Sequence, residues 1–510
     1  MHPTTRNLLI IFPIAIFVAL LYCRIPDTYF CGYDDFIEIH RAAFDETKQP
    51  LRILTDTHFN SYKYRPLSHG INFLTYRLSG GDPTVFRVRN VLSHLMNVGL
   101  IFGMGLLLFE KRLVSGAAAL LFGAHPLVNQ TVVAASFTII IANTGVLFSL
   151  FCFIFSVKRK RGSLVWLSAA LLSGWVNILT YESSIIVFLL MFAYLLIQFA
   201  FTRERLVNRR FLLVLIMGTV LLVGSYFGMR VLFVTVGAQR AIPSIETIVE
   251  AVAMYTGALL SPLDPVLANE WFGTPLPSEI HLSSIIKLWW AVLLLATGCA
   301  VFLVLLRKQL GKCARAADGP NLSFLLVALV LSLFPFIVLT PKPSETYVYL
   351  SVAFAALLFS SLLETVVAAG RSHIGMLLYA AAVGILTVSF SFGTWVRNNR
   401  VVRCGNTAER IMPSLRLEKL NKGVWFVNLA AVPGEPRSRR YGIYGWRGID
   451  TVGETALEPA LQWVNNNEML AVRMVGPEFF EKGCLGSRDV CFWVHEDGRV
   501  VEVGQKLPGK

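Results

Sequence analysis

The chain has 510 residues, of which 55% are hydrophobic and only 15% are charged. A soluble domain usually carries roughly 25% charged residues, so this composition excludes a wholly soluble protein and predicts a polytopic membrane protein. The formal net charge is +14, but the basic residues are scattered over short loops between apolar segments, which argues against a nucleic-acid partner.

Stretches without charge define the predicted membrane spans. Leu113–Val157 runs for 45 residues without Asp, Glu, Lys or Arg, which at about 20 residues per crossing predicts a helical hairpin that turns near Ser136. Ser163–Thr202 predicts a second hairpin, which turns at its one charged residue, Glu182. Single spans bring the total to about eleven: Asn7–Cys23, Arg89–Phe109, Phe211–Leu232, Ile286–Leu306, Ser323–Thr340, Thr346–Leu363 and Ile374–Trp395.

The distribution of basic residues predicts the orientation of these spans. Every second loop is basic, as in "KRKR" at 158–161, which places the N-terminus in the cytoplasm and the C-terminus outside. We therefore expect an all-α transmembrane domain over 1–395, with a first outer loop at 24–88 and a second at 233–285. Residues 396–510 are expected to form a small α+β extracytoplasmic domain, in which "CFWVHEDGRVVEV" predicts a β-hairpin that turns at Asp497-Gly498.

The cysteines leave their redox state open. Cys484 and Cys491 lie in the predicted outer domain, where an oxidising compartment permits either a disulfide or two free thiols. Cys23 and Cys31 form a second, weaker candidate pair. The cysteine spacing matches no common metal-binding pattern.

Ionisable and polar residues from separate segments meet at the predicted outer face. These residues are Asp34 and Asp35, Arg65, His125, Glu182, Lys342 and Glu345. Taken singly, each has an ordinary explanation: a solvated loop acid, an interfacial anchor, a histidine that bonds the backbone beside Pro126, or a turn residue. Taken together they favour a functional site, because ionisable groups near membrane depth are costly.

This set of side chains suits sugar transfer from a lipid-linked phosphate. A carboxylate must take the proton of the acceptor hydroxyl as it attacks, and cations must stabilise the leaving phosphate. Asp34 or Asp35 is the candidate base, and Arg65 is the candidate phosphate ligand because its planar guanidinium binds phosphate through two hydrogen bonds. Lys342 or His125 could assist it. A divalent metal between acidic groups is also open, although two adjacent carboxylates do not establish one.

Several motifs occur in the order found in one known family. They are "FCGYDDFIEI" at 30–39, "YRPLSHGINFLTYRLSGGDPTVFRVRNVLSHLMNVGL" at 64–100, "HPLVNQTV" at 125–132, "YESS" at 181–184 and "ETYVYLS" at 345–351. The chain resembles GT-C-type integral membrane glycosyltransferases. Within them it is most similar to the transmembrane O-mannosyltransferases that carry tetratricopeptide repeats, and to their bacterial relatives.

The resemblance implies a polyprenyl-phosphate sugar donor and a first-loop aspartate as catalytic base, a position that Asp34 fills. Three positions that are charged in the family are neutral here, at Gln130, Tyr181 and Thr346, which puts phosphate binding and metal dependence in question. The repeat domain of the family is absent from this sequence. The acceptor is therefore left open between a protein and a glycan.

Two other functions compete with the transferase. One is a transporter or flippase of lipid-linked glycans, which is disfavoured because such proteins usually place binding residues near the membrane midplane. The other is an inactive relative that acts as an assembly factor. The expected location is a bacterial inner membrane, with an undecaprenyl-phosphate donor.

Overall fold

The computed structural model describes most of the chain, including most of the predicted membrane spans. The described residues are 3–31, 33–48, 53, 64–158, 163–203, 207–234, 248–249, 252, 255–256, 259, 318–339, 345–367, 373–414, 424–428, 457–467, 470–474, 490–494 and 500–503.

Helices dominate the described residues. They are α1 (Pro3–Leu21), α2 (Tyr33–Lys48), α3 (Pro66–Ser79), α4 (Pro83–Phe109), α5 (Arg112–Ala124), α6 (Asn129–Val133), α7 (Ile139–Lys158), α8 (Ser163–Thr180), α9 (Ile186–Thr202), α10 (Arg209–Phe233), α11 (Gly319–Leu339), α12 (Tyr349–Val367), α13 (His373–Ser414) and α14 (Leu457–Val464). Short 3₁₀ helices cover Pro126–Val128, Glu182–Ile185 and Glu345–Tyr347.

Six of the described helices are long and apolar enough to cross a membrane. They lie within α4, α7, Glu182–Thr202, α10, α11 and α13, and shorter apolar helices form α1, α5, α8 and α12. Ten of the predicted spans overlap these helices. The remaining one, Ile286–Leu306, lies outside the described residues, so the total of eleven stays a prediction.

Polar side chains link the helices inside the bundle. The ring of His94 on α4 bonds the Tyr349 hydroxyl of α12 at 2.7 Å and the Gly123 carbonyl of α5 at 3.2 Å. Asn97, one turn further along α4, donates to the same hydroxyl at 2.9 Å. Polar groups inside an apolar bundle need such partners, because lipid and apolar side chains offer none.

The region between the first and second apolar helices of the bundle contains α2 and α3, which pack against each other. Gly80 and Gly81 adopt positive φ values of 62° and 89° and turn the chain from α3 into α4. Asp82 then caps α4 by accepting a hydrogen bond from Thr84 N–H at 2.9 Å.

The proposed pairing of Cys23 with Cys31 is wrong, since both are free thiols. The Cys31 sulfur instead lies 3.6 Å from the Arg87 guanidinium.

The C-terminal part contains α14 and a four-stranded sheet in the order β2-β1-β3-β4. The strands are β1 (Val424–Asn428), β2 (Ala471–Met474), β3 (Val490–Val494) and β4 (Val500–Val503). β1 is parallel to β2 and β3, and β3 and β4 are antiparallel on either side of the predicted turn. Helix α13 continues through residue 395, so the predicted boundary there and the α+β domain as a unit stay predictions. Cys484 lies outside the described residues.

Helices α4 and α5 pack at backbone contact near Gly105. A Cβ added there would lie 2.9 Å from the Ser115 Cα, whereas one added at Gly99 on the same helix would meet nothing within 4 Å. We expect Gly105→Ala to lower the melting temperature in detergent, because the helices must separate. Gly99→Ala should leave it unchanged or raise it, since alanine gains about 1 kcal/mol of helix propensity over glycine. Equal melting temperatures for the two variants would contradict this packing.

Candidate functional site

The carboxylate of Asp35 is buried and fully engaged with the protein. Its residue is only 2% exposed. Oδ1 accepts the Ser136 N–H at 2.8 Å, and Oδ2 accepts the Cys31 N–H at 3.4 Å. The Arg87 guanidinium lies 3.8 Å from Oδ2. Asp35 therefore ties α2 to the turn before α7 and to α4.

Arg87 is the partner that makes a buried carboxylate tolerable here. It lies on α4 with no solvent exposure, and its remaining N–H groups bond backbone carbonyls. Nε donates to Thr28 at 2.7 Å, Nη2 donates to Tyr29 at 2.6 Å, and Nη1 donates to Val133. A buried ion pair is stable only when such additional hydrogen bonds satisfy its polar atoms, and this one holds the segment before α2 in place.

The two adjacent aspartates occupy different faces of α2. Successive helix residues are separated by about 100°, so Asp34 and Asp35 cannot share a direction. Position 34 shares a helix face with Glu38, one turn later, while Asp35 points into the protein. The Asp34 side chain itself lies outside the described part of the structure.

A polar seam joins α2 and α3, formed by Glu38 and Arg41 on α2 with His69 and Asn72 on α3. Arg41 donates to the His69 ring at 2.7 Å. Asn72 donates to Glu38 at 3.4 Å, and His69 Nδ1 lies 3.7 Å from the same carboxylate oxygen. The seam thus fixes α2 against α3 by charge-assisted hydrogen bonds.

The seam sets the protonation of its members. Burial alone would raise the pKa of Glu38, but the hydrogen bond and charge of His69, the charge of Arg41 and the amide of Asn72 lower this pKa to about 2. Burial lowers the pKa of His69, against the attraction of Glu38 and with the repulsion of Arg41 and Arg65. At neutral pH, Glu38 is ionised and His69 is uncharged.

Arg65 and Glu182 form an ion pair at the N-terminal end of α3. Arg65 Nη2 donates to Glu182 Oε1 at 2.7 Å and Nε donates to Oε2. The Arg65 guanidinium carbon lies 3.7 Å from the centre of the Tyr181 ring. Both charged side chains stay partly exposed, at 16% for Arg65 and 31% for Glu182.

The charge of Arg65 is secured by these neighbours. Burial alone would lower the pKa of Arg65, but the Glu182 carboxylate outweighs it, and the net shift of this pKa is upward. The aromatic face of Tyr181 adds a cation–π contact. Tyr181 stands where the family that the sequence resembles has a lysine. Its ring contacts the Arg65 guanidinium, but it adds no second positive charge.

Of the other predicted site residues, only the side chain of His125 lies within the described part of the structure. His125 is buried, its Nδ1 accepts the Leu127 N–H at 3.2 Å, and its ring lies 4.4 Å from that of Phe390. It therefore caps the 3₁₀ helix that begins at Pro126. Glu345 begins the 3₁₀ helix Glu345–Tyr347, but its side chain lies outside the described residues, as does all of Lys342.

Two of the three residues that are neutral here but charged in the resembled family lie on elements that contact each other. Gln130 on α6 and Thr346 in the 3₁₀ helix Glu345–Tyr347 are both buried, and these two elements pack against each other. A charged residue at only one of these buried positions would lack a partner and would be destabilising. Neutral residues at both positions avoid this cost. The two departures from the family pattern therefore belong to one contact region.

The structure gives no direct support for a metal centre. Among the residues it describes, no three His, Cys, Asp or Glu side chains come together as a metal-binding group. The side chains of Asp34 and Glu345 lie outside the described part of the structure, so metal dependence stays open.

Sequence reasoning missed the seam and Arg87. A signal existed, because Asp34, Glu38 and Arg41 recur at helical spacing on α2, and Arg65, His69 and Asn72 recur at the same spacing on α3. Such spacing predicts a polar stripe on each helix. It does not reveal that the two stripes face each other.

Comparison with solved structures shows what this architecture is similar to. ArnT from Cupriavidus metallidurans in the apo state matches with a TM-score of 0.53 at 13% identity, over 97% of this chain and 94% of that one. The same protein bound to undecaprenyl phosphate matches with a TM-score of 0.45 at 15% identity, over 97% and 94%. An Archaeoglobus fulgidus oligosaccharyltransferase, in complex with Zn and sulfate, matches with a TM-score of 0.49 at 11% identity, over 91% of this chain and 62% of that one.

This chain has a GT-C-type fold. The likeness to apo ArnT covers nearly the whole of both chains, and ArnT is a GT-C-type membrane glycosyltransferase, so the expected fold type is confirmed. The protein is an integral multi-pass membrane protein. No family model matches the sequence, and no curated protein matches it either.

The anchoring role of Asp35 predicts a specific stability defect. We expect Asp35→Asn to lower the melting temperature by several degrees, because breaking a buried ion pair typically costs about 3–5 kcal/mol. Asp82→Asn is the matched control, since Asp82 is an exposed helix cap and asparagine caps equally well. A thermal-unfolding scan in which both variants match wild type would rule out the anchor.

Proposed function

We propose that this protein is a glycosyltransferase that moves a sugar from a polyprenyl-phosphate donor to an acceptor hydroxyl at the outer face of the membrane. The observation that carries the proposal is the partly exposed Arg65 side chain, held by Glu182 and Tyr181 at the N-terminal end of α3, the helix that packs against α2. A fixed cation beside the aspartate-bearing helix of a GT-C-type fold is suited to a phosphate leaving group.

Arg65 is the proposed donor-phosphate ligand, and Glu182 is its positioning partner. Glu182 orients the guanidinium by two hydrogen bonds before any ligand arrives, which lowers the ordering cost of binding. The entering phosphate then shares the guanidinium with Glu182 or displaces its carboxylate. His125, Lys342 and Glu345 remain proposed members of the surrounding site.

A lipid-linked donor is supported by the fold likeness. ArnT has been solved bound to undecaprenyl phosphate, and apo ArnT shares the fold of this chain. We extend that ligand to this protein as the expected carrier, in a bacterial inner membrane with the C-terminus outside. The apolar helices α8 and α9 flank the 3₁₀ helix that carries Glu182, which suits a ligand with a lipid tail and a phosphate head.

Asp34 is the proposed general base. Its carboxylate takes the proton of the acceptor hydroxyl while the acceptor oxygen forms a bond to the anomeric carbon of the sugar. The bond between that carbon and the phosphate oxygen breaks, and its electron pair leaves with the polyprenyl phosphate beside Arg65. Asp35 is unsuited to this role, because its oxygens are buried and already accept backbone N–H groups.

The acceptor is a protein or a glycan. Both classes present the hydroxyl that the step requires, and the geometry around α2 and α3 does not separate them. The possible divalent metal also stays open, and the proposed step does not depend on it.

The test is release of polyprenyl phosphate from a panel of polyprenyl-phosphate sugars by the purified full-length protein. We expect Asp34→Asn to reduce turnover at least 100-fold without a change in melting temperature, since losing a general base typically costs about 10²–10⁴-fold. Asp27→Asn is the matched control, because Asp27 is an exposed carboxylate in the same loop.

Wild-type turnover that persists in Asp34→Asn would remove Asp34 from the mechanism. Absence of any release by wild type, with all donors and both acceptor classes, would overturn the transferase. Glycan transport in vesicles would then be the next activity to measure.

A further inference from the structure

Helix α2 has an apolar face opposite the seam. Phe36 and Ile39 are fully buried there, in a cluster that is separate from the main core of the bundle. The partners in this cluster include Ala460 and Leu461 of α14, which are also fully buried. Helix α2 is therefore packed between α3 on its polar face and the C-terminal part of the chain on its apolar face.

Trp463 on α14 lies at the centre of this contact. Its ring centre is 5.7 Å from that of Phe30 and 6.5 Å from that of Phe36. It also reaches the α3–α4 turn, since a Cβ added at Gly81 would lie 3.3 Å from the indole. One side chain thus contacts the segment before α2, α2 itself and the turn that follows α3.

These contacts join the two helices on which the proposed chemistry depends. Helix α2 carries Asp34, and α3 begins directly after Arg65. Both must keep a fixed separation, because a displacement of about 1 Å in a catalytic group can cost 100-fold in rate. The residues of α2 that contact α14 would otherwise be exposed in the predicted outer loop.

We propose that Trp463 is a positioning residue, through which the C-terminal part of the chain holds α2 and the α3–α4 turn in the arrangement required for sugar transfer. The proposal rests on the function proposed above. Edge-to-face aromatic contacts with Phe30, at an interplanar angle of 79°, give the support a defined orientation. The C-terminal part is then a structural component of the active site, and its loss would disable the transmembrane part.

The test compares full-length Trp463→Ala and Trp463→Phe with Trp395→Ala in lipid nanodiscs. Trp395 is the matched control, because it is 52% exposed on α13 and stacks on its own helix neighbour Phe392. Hydrogen–deuterium exchange of the α2 amides measures the support directly and needs no activity. Donor-dependent initial rates with a polyprenyl-phosphate sugar separate kcat from KM.

We expect Trp463→Ala to speed exchange of the α2 amides at least tenfold and to lower kcat at least tenfold, with the donor KM changed less than twofold. Trp463→Phe should restore both to within about threefold, and Trp395→Ala should match wild type. The exchange result stands even if wild type shows no sugar transfer, so failure of the proposed function is distinguishable from failure of the support.

Three results would overturn the proposal. Unchanged α2 exchange in Trp463→Ala would show that the indole does not hold the helix. Faster exchange with wild-type kcat would show that the support is irrelevant to turnover. A raised KM for donor or acceptor with unchanged α2 exchange would instead make Trp463 a substrate-contacting residue.

Discussion

The buried contact between Asp35 and Arg87 is the constraint on which the rest of the site depends. Each ion is inaccessible to water, and each satisfies its remaining polar atoms on the backbone, at Ser136 and Cys31 for the acid. Arg87 adds the carbonyls of Thr28 and Tyr29. Isolated, either charge would be strongly unfavourable in this environment. Together they fasten the start of α2 to α4 and to the turn before α7.

Three consecutive positions of α2 then lie on three different faces of the helix. Asp35 enters the bundle, Phe36 packs on the C-terminal part, and position 34 shares the face of Glu38 that turns toward α3. This follows from the helix geometry, in which each residue is rotated by about 100° from the last. Asp35 therefore supplies an anchor, on a different face of α2 from position 34.

The sequence predicts the spans well because lipid imposes a simple rule, a charge-free length of about 20 residues for each crossing. It also predicts the turn of the second hairpin at Glu182, where a short 3₁₀ helix separates α8 from α9. It does not predict which of the two aspartates is buried. That depends on Arg87, which lies 52 positions after Asp35 in the sequence. The role of His125 as a cap depends likewise on the local turn at Pro126.

The pairing of Glu38 with His69, and of α2 with α14, is beyond sequence patterns for the same reason. Helical spacing marks a polar face and an apolar face on α2, but the partner of each face is a tertiary choice. The neutral residues at Gln130 and Thr346 illustrate the reverse case. Each departs from a family motif when considered alone, yet they lie on elements that pack together, so they count as one local change.

The most direct test of the account is the affinity of the purified protein for polyprenyl phosphate, with Arg65→Lys compared against Arg77→Lys. Arg77 is exposed on α3, the helix that begins directly after Arg65, so the substitution and the charge are matched. The account predicts at least tenfold weaker binding for Arg65→Lys, since an ammonium cannot reproduce the planar two-point contact, and wild-type binding for Arg77→Lys. Equal binding by both variants and wild type would place the phosphate elsewhere and contradict the central claim.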